Sequence, residues 1–219
     1  MEKTNSNNNY IPALKFNWLT KFYNPILRHT MPELQFKMAL IEQAKIESNH
    51  KVLDFGIGTA TLSILVKKNK PQSIVSGVDV DSKIIGIAKK KILEAKTEIH
   101  IDKYDGLVLP HKVNTFDRVI SSLVFHHLDA NQKINSLQEI LRVLKPNGEL
   151  HIADWGKPSN TLMRGAFYFV QLLDGFKTTK DHVKGKLPDY ICKVGFKEVS
   201  ERQYFNTIFG TIRLIKAKK

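Results

Sequence analysis

From residue 51 onward the apolar positions switch repeatedly between two periods. Short continuous runs, which suit strands buried on both faces, alternate with stripes at three- and four-residue spacing, which suit helices packed on one side. Residues 51–55 form the first run and end in a Gly-rich turn; residues 59–68 follow as a helix with Leu62, Leu65 and Val66 on one face. Residues 73–80 are the second strand. Asp81 or Ser82 can cap the next helix, because a short side-chain oxygen meets otherwise unpaired N–H groups, and Ile84, Ile85, Ala88, Ile92 and Ala95 form its apolar stripe. Residues 97–101 and 116–123 are the third and fourth strands. Residues 131–144 are a helix with Ile134, Leu137, Ile140, Leu141 and Leu144 inward, closed by Pro146-Asn147-Gly148, and residues 149–154 are the fifth strand. Helices over 161–173 and 181–194 precede two extended segments, 196–202 and 206–215, whose short connection predicts an antiparallel hairpin on the sheet edge. This alternation predicts an α/β fold built on a parallel sheet.

The stretch before residue 51 differs. Residues 10–48 are helical in pattern but cut into short pieces by Pro12, Pro25 and Pro32. Their aromatics, Tyr10, Phe16, Trp18, Phe22 and Tyr23, either pack on the sheet domain or form a lid over a pocket; both readings stand. The predicted organisation is an N-terminal helical lid or extension over 1–48 and a sheet domain over 49–219, with 161–195 as an insertion on the acceptor side.

Composition adds three constraints. A hydrophobic fraction of 42% and a charged fraction of 25% are ordinary for a soluble globular chain, and no apolar run is long enough to span a bilayer. Residues 1–9 are polar and Asn-rich, a pattern of neither a secretory signal nor a transit peptide. The single cysteine, Cys192, excludes an internal disulfide and a cysteine-clustered metal site, so a cytoplasmic setting is expected. The net charge of +13 could attract nucleic acid, anionic lipid or an acidic substrate. Its lysines are scattered, and no arginine-and-aromatic patch accompanies them. That argues against a nucleic-acid partner and leaves a peripheral contact with an anionic membrane surface open.

The turn Asp54-Phe55-Gly56-Ile57-Gly58-Thr59 carries the chemistry. A glycine turn between strand and helix lets backbone approach a ligand and aims helix N-terminal N–H groups at it. Dinucleotide sites share such glycines. Here, however, Asp54 would repel a pyrophosphate while suiting an ammonium, and Thr61 stands where a dinucleotide loop needs its third glycine. Thr59 can cap the following helix. Asp79, in Gly77-Val78-Asp79-Val80-Asp81, ends the second strand about 20 residues beyond the glycines, where a carboxylate can accept from both ribose hydroxyls.

With those residues in place, Val52-Leu53-Asp54-Phe55-Gly56-Ile57-Gly58-Thr59 resembles motif I of the class I S-adenosylmethionine (SAM)-dependent methyltransferases. Later segments follow in that family's order: 77–81, Lys103-Tyr104-Asp105-Gly106, 116–128, and 141–150 with its Pro-Asn-Gly turn. One departure is Ala60, where many members have a third glycine. The chain is similar to the group that includes ubiquinone/menaquinone C-methyltransferases and phospholipid N-methyltransferases. The resemblance implies a Rossmann-like seven-stranded, mostly parallel sheet with helices on both faces, and SAM as cofactor, with S-adenosylhomocysteine as product. It assigns Asp54, Gly56, Gly58, Thr59, Asp79, Val80, Asp105, Gly106 and Ser121 to the cofactor, with Tyr23 capping the pocket.

Methyl transfer is an in-line displacement from an already activated donor, so alignment and exclusion of water matter most, and a base is needed only if the acceptor must lose a proton. His126 and His127, after the fourth strand, and Asp154, after the fifth, are the candidate catalytic residues. With no second recognition domain, a small molecule is the expected acceptor, and the apolar stretch 162–176 suits a hydrophobic or amphiphilic one. The alternatives are an RNA or protein methyltransferase, motivated by the charge, and a non-catalytic SAM-binding protein.

Overall fold

The computed structural model describes residues 32–219. Seven strands form one sheet: β1 (Lys51–Phe55), β2 (Ile74–Asp79), β3 (His100–Lys103), β4 (Phe116–Ser122), β5 (Leu144–Trp155), β6 (Lys197–Thr207) and β7 (Gly210–Lys218). Their order across the sheet is β3-β2-β1-β4-β5-β7-β6. Strands β1 to β5 pair in parallel, and β7 runs antiparallel between β5 and β6. The helices are α1 (Glu33–Ala44), α2 (Thr61–Asn69), α3 (Ser82–Glu94), α4 (Ala130–Val143), α5 (Thr161–Asp174), α6 (Phe176–Val183) and α7 (Leu187–Val194).

Side chains that alternate along the central strands feed two separate cores. Leu53, Val119, Leu150 and Ile152 pack under α4 and α7, against Leu137, Ile140, Val143, Leu187 and Ile191. Val52, Ile120, Ala153 and Leu214 face the other way, onto α1, α2 and α5 through Phe36, Leu40, Leu62, Val66 and Phe167. The helices therefore lie on both faces, as a parallel sheet requires. Helix α1, within the stretch read as an extension, is part of this core; Tyr23 and the other N-terminal aromatics lie outside the described residues.

Several local expectations are corrected. Pro146-Asn147-Gly148 does not close α4, which stops at Val143; it forms a bulge inside β5, where the pairing jumps from Phe116–Leu144 to Arg118–Glu149. Asn147 takes a positive φ of 64° there, and a side chain on Gly148 would meet the Lys145 carbonyl at 2.9 Å. The helix expected over 181–194 is two, α6 and α7, separated at Gly185 (φ +70°). Of the two expected caps for α3, Asp81 is the one used, as expected, accepting from the Lys83 and Ile84 amides. Thr59 caps nothing: Ala60 precedes α2 with a left-handed φ of 62° and no side-chain cap bond.

Candidate functional site

Loops leaving the C-terminal ends of β1, β2 and β3 meet on one side of the sheet. After β1 the chain turns through three left-handed residues, Gly56 (φ 72°), Gly58 (φ 53°) and Ala60 (φ 62°). Gly56 and Ile57 donate to the Val78 carbonyl of β2, which clamps the turn to its neighbour. The two glycines serve different ends. A Cβ on Gly56 would strike Val124 at 2.5 Å, whereas one on Gly58 would meet nothing nearer than 4.0 Å. Gly56 thus admits a neighbouring loop, and Gly58 leaves bare backbone facing open space.

Asp79, half-buried at the end of β2, ties the site together. One carboxylate oxygen accepts from the Gly58 amide and the other from the Asp81 amide, both at 3.0 Å. Lone pairs remain on each oxygen for the hydroxyls of a ribose. Val80 follows and lies against Gly106 (φ 84°), where a Cβ would find only Val80 Cγ1 at 3.7 Å. Asp105 is exposed; it accepts from the Leu107 and Val108 amides, which fix its own loop and lower its pKa. Thr59 hydrogen-bonds the Lys91 ammonium together with Thr61.

Two residues expected at the cofactor lie beneath the loop. Asp54 is buried and accepts from the Ser63 hydroxyl at 2.7 Å. Burial raises its pKa to about 6, against the opposing pull of Ser63 and the Lys37 ammonium. Ser121 is fully buried and donates to the Phe55 carbonyl at 2.9 Å, joining β4 to the turn.

The other side of the strand ends is assembled around Asp154. This carboxylate accepts from the Val124, Phe125 and Trp155 amides and from His126 Nδ1, the last at 2.7 Å. It thereby holds the turn after β4, which begins at Leu123 with a strained φ of 59°. Burial alone would raise the Asp154 pKa, but His126 outweighs it and holds the group well below the usual carboxylate range. Burial also opposes charge on His126, yet Asp154 and Asp174 leave its pKa raised. His127, partly exposed, is pushed down to about 3 by burial and by His126. The three residues expected to be catalytic are thus together, but Asp154 is 1% exposed with its oxygens already engaged. It positions His126 and the turn.

Sequence reasoning missed Asp174, at the end of α5, whose carboxylate stands 3.7 Å from His126 Nε2 and 4.0 Å from His127 Nδ1. It also missed His182 of α6, which donates from Nδ1 to the Trp155 carbonyl, and Lys133 of α4, buried with its ammonium on the Thr178 carbonyl. Ser63, whose hydroxyl donates to Asp54, was a further omission. Asp174 and His182 have no sequence neighbour in the site; only the return of α5 and α6 over β4 and β5 brings them there.

Fold and site together define a nucleotide-cofactor protein of the open α/β class, with its ligand beyond the carboxyl ends of the strands. Residues 52–148 match the family model described as a methyltransferase domain. The chain is 29% identical over 207 residues to the ubiquinone/menaquinone biosynthesis C-methyltransferase UbiE of Blochmanniella floridana, covering 84% of this chain and 79% of that one. It is 27% identical over 188 residues to a demethylmenaquinone methyltransferase of Lactobacillus johnsonii, covering 80% and 76% respectively. A SAM-dependent methyltransferase structure from Aquifex aeolicus shares the fold, with a TM-score of 0.68 at 16% identity over 95% of this chain and 99% of that one. So does phosphoethanolamine N-methyltransferase 2 of Haemonchus contortus, with a TM-score of 0.66 at 15% identity over 84% and 52%. This chain is a class I SAM-dependent methyltransferase, and SAM is its cofactor.

Proposed function

We propose that the acceptor is a hydroxylated aromatic ring of the quinone-precursor type, methylated between the turn after β4 and helices α5 and α6. The observation that carries this is the makeup of that side. Buried imidazoles and a carboxylate stand at the strand ends, while the adjoining helices expose Leu162, Tyr168, Phe169, Leu172 and Phe176. Ring hydroxyls would meet the polar cluster and an apolar tail would follow the helices. The names of the two relatives above agree with such an acceptor.

SAM, when bound, supplies a methyl group already activated on a sulfonium. The open backbone at Gly58 and Gly106 and the remaining lone pairs of Asp79 fit its nucleoside; Val80, Asp105 and Thr59 border the same space. Asp54 and Ser121 shape the turn from below. On the acceptor side Asp154 orients His126, and His127 is the more open of the two rings. What these residues do is align the acceptor and exclude water, where most of the rate is gained.

Exposed Lys177, Lys180, Lys184 and Lys186 flank the apolar residues of α5 and α6. This supports a cytoplasmic enzyme that touches anionic lipid to collect a hydrophobic acceptor; among the described residues no helix is long and apolar enough to cross a membrane. A methyl-transfer assay with labelled SAM against demethylated quinols, phosphoethanolamine and RNA tests the reading. Label in the quinol fraction is expected. Label confined to the amine or to RNA would overturn it.

A further inference from the structure

The cluster beyond β4 and β5 has more coordinating capacity than methyl transfer uses. His126 Nε2, His127 Nδ1 and the Asp174 carboxylate converge, with one ligand atom from each residue lying within 4.8 Å of the others. Asp174 is only 10% exposed, and the ring nitrogens that face it stand at 3.7 and 4.0 Å, too far to hydrogen-bond and with a gap between. Two ligand atoms sharing a zinc-sized ion stand about 3.0–3.6 Å apart. His126 Nε2 faces one oxygen of Asp174 and His127 Nδ1 the other, so gathering one ligand atom from each residue around an ion takes side-chain movements of about 1 Å.

Two further features match a metal centre. A ligating imidazole donates its other N–H to a carboxylate or carbonyl, which fixes the tautomer and turns the free lone pair toward the ion. His126 does this with Asp154 at 2.7 Å. His182 does it with the Trp155 carbonyl at 2.5 Å, and its Nε2 is buried without any partner. Its ring lies edge-on to His126, centroids 6.3 Å apart. Asp154 and Asp174 together match a double positive charge. Buried Lys133 opposes it, but Asp129 and Asp181 offset that ammonium.

We propose that His126, His127 and Asp174 hold one divalent first-row transition ion. Two imidazoles and one carboxylate suit zinc, iron(II) or cobalt(II) rather than magnesium or calcium, which take oxygen ligands. A site of this kind keeps a coordination position open. Val124, two residues before His126, packs on Gly56, which sets the loop of the cluster against the cofactor turn. The open position would hold a ring hydroxyl of the acceptor. The role toward the hydroxyl rests on the acceptor proposed above; the metal site itself does not.

The test uses the tag-free full chain, stripped with chelator and titrated with Co(II) and Zn(II) by calorimetry and visible absorption. One ion per chain with a Kd of about 1 μM or tighter is expected, together with Co(II) bands of a four- or five-coordinate site. Asp174→Asn and His127→Ala should each weaken binding at least about tenfold, while His100→Ala, at an exposed histidine of β3, should not. S-adenosylhomocysteine binding on the same samples shows that each variant is folded. Wild-type protein that binds S-adenosylhomocysteine but shows neither heat nor Co(II) bands overturns the metal site and leaves the acceptor reading standing. Bands that survive Asp174→Asn unchanged overturn it too. A metal-loaded enzyme that does not methylate quinols overturns the acceptor reading alone.

Discussion

On the cofactor side, the loops after β1, β2 and β3 present backbone: two glycines, Ala60, and an aspartate whose oxygens accept from main-chain amides. On the acceptor side, the end of β5, the turn after β4 and helices α5 and α6 present side chains, with Asp154, His126, His127 and Asp174 clustered and His182 beside His126. The first arrangement is local, since residues 54–60 and 77–81 almost complete it and neither needs the far end of the sheet. The second draws on residues from 123 to 182 and exists only once α5 and α6 have folded back over β4 and β5. A backbone cradle can therefore lose a side chain and keep its shape. The side-chain cluster is part of the fold itself, so damage there should spread to stability.

Asp154→Asn gives the largest expected effect. It removes the charge that holds His126 and leaves an amide N–H₂ facing some of the Val124, Phe125 and Trp155 N–H groups. Breaking a buried ion pair from one side costs about 3–5 kcal/mol, and a shape-conserving amide should fall near the low end. Urea unfolding should show a loss of about 3 kcal/mol. A variant as stable as wild type would mean that the strained turn at Leu123 does not depend on Asp154.

Asp79→Ala is the matching change on the cofactor side. It strands the ribose hydroxyls and frees the Gly58 amide, so S-adenosylhomocysteine should bind more than about tenfold more weakly by calorimetry. Stability should fall by only about 1 kcal/mol, because the orphaned amides of a half-buried loop can still turn to water. If Asp79→Ala and Asp154→Asn shifted stability equally, the contrast between cradle and cluster would fail.

Asp54 sits between the two regimes. Its pKa is raised from 3.8 to about 6 by burial, so the folded state holds a proton that the unfolded chain releases. The sign follows: the neutral acid favours folding below pH 4, and that contribution disappears as pH rises through 6. Above pH 7 the buried charge costs on the order of 3 kcal/mol, and Asp54→Asn should recover part of it in thermal unfolding at pH 8. If Asp54, buried beneath the turn, nonetheless senses the cofactor's ammonium, as the family resemblance implies, binding at pH 6 should release about half a proton per chain. Calorimetry in buffers of different ionisation enthalpy measures this. Zero release would confine Asp54 to holding Ser63 and the turn.

The same contrast explains what the sequence revealed. Asp54, Gly56, Gly58 and Asp79 stand in one βαβ unit, where spacing along the chain translates directly into spacing in the site. His126, His127 and Asp154 were visible as residues after strand ends, but their relation was not, because it depends on β4 and β5 being neighbours in parallel register. Asp174 and His182 left no signal: a carboxylate ending an apolar helix and a histidine in a lysine-rich one read as ordinary surface. The bulge at Pro146-Asn147-Gly148 was misread for a similar reason. Its residues are those of a helix stop, and only the partner strand shows that the helix had already ended at Val143.

The smallest expected effect tests the cradle at its one irregular position. Ala60 holds a left-handed φ of 62° that costs an L-residue about 1–2 kcal/mol, so a glycine there relieves strain. But Ala60 is fully buried against Ile57, Ile64, Ala88 and Ile92. Removing its methyl gives up about 0.8 kcal/mol of burial. The looser unfolded chain takes a further 0.4–1 kcal/mol or so. These terms nearly cancel, so Ala60→Gly should change unfolding free energy by less than about 1 kcal/mol and leave S-adenosylhomocysteine affinity within about twofold. Ala60→Val keeps the unfavourable φ, adds β-branching and crowds the same pocket, and should destabilise by about 2 kcal/mol or more. Equal stabilities for the two variants would mean that the turn relaxes out of its left-handed conformation, and with it the backbone cradle around Gly58.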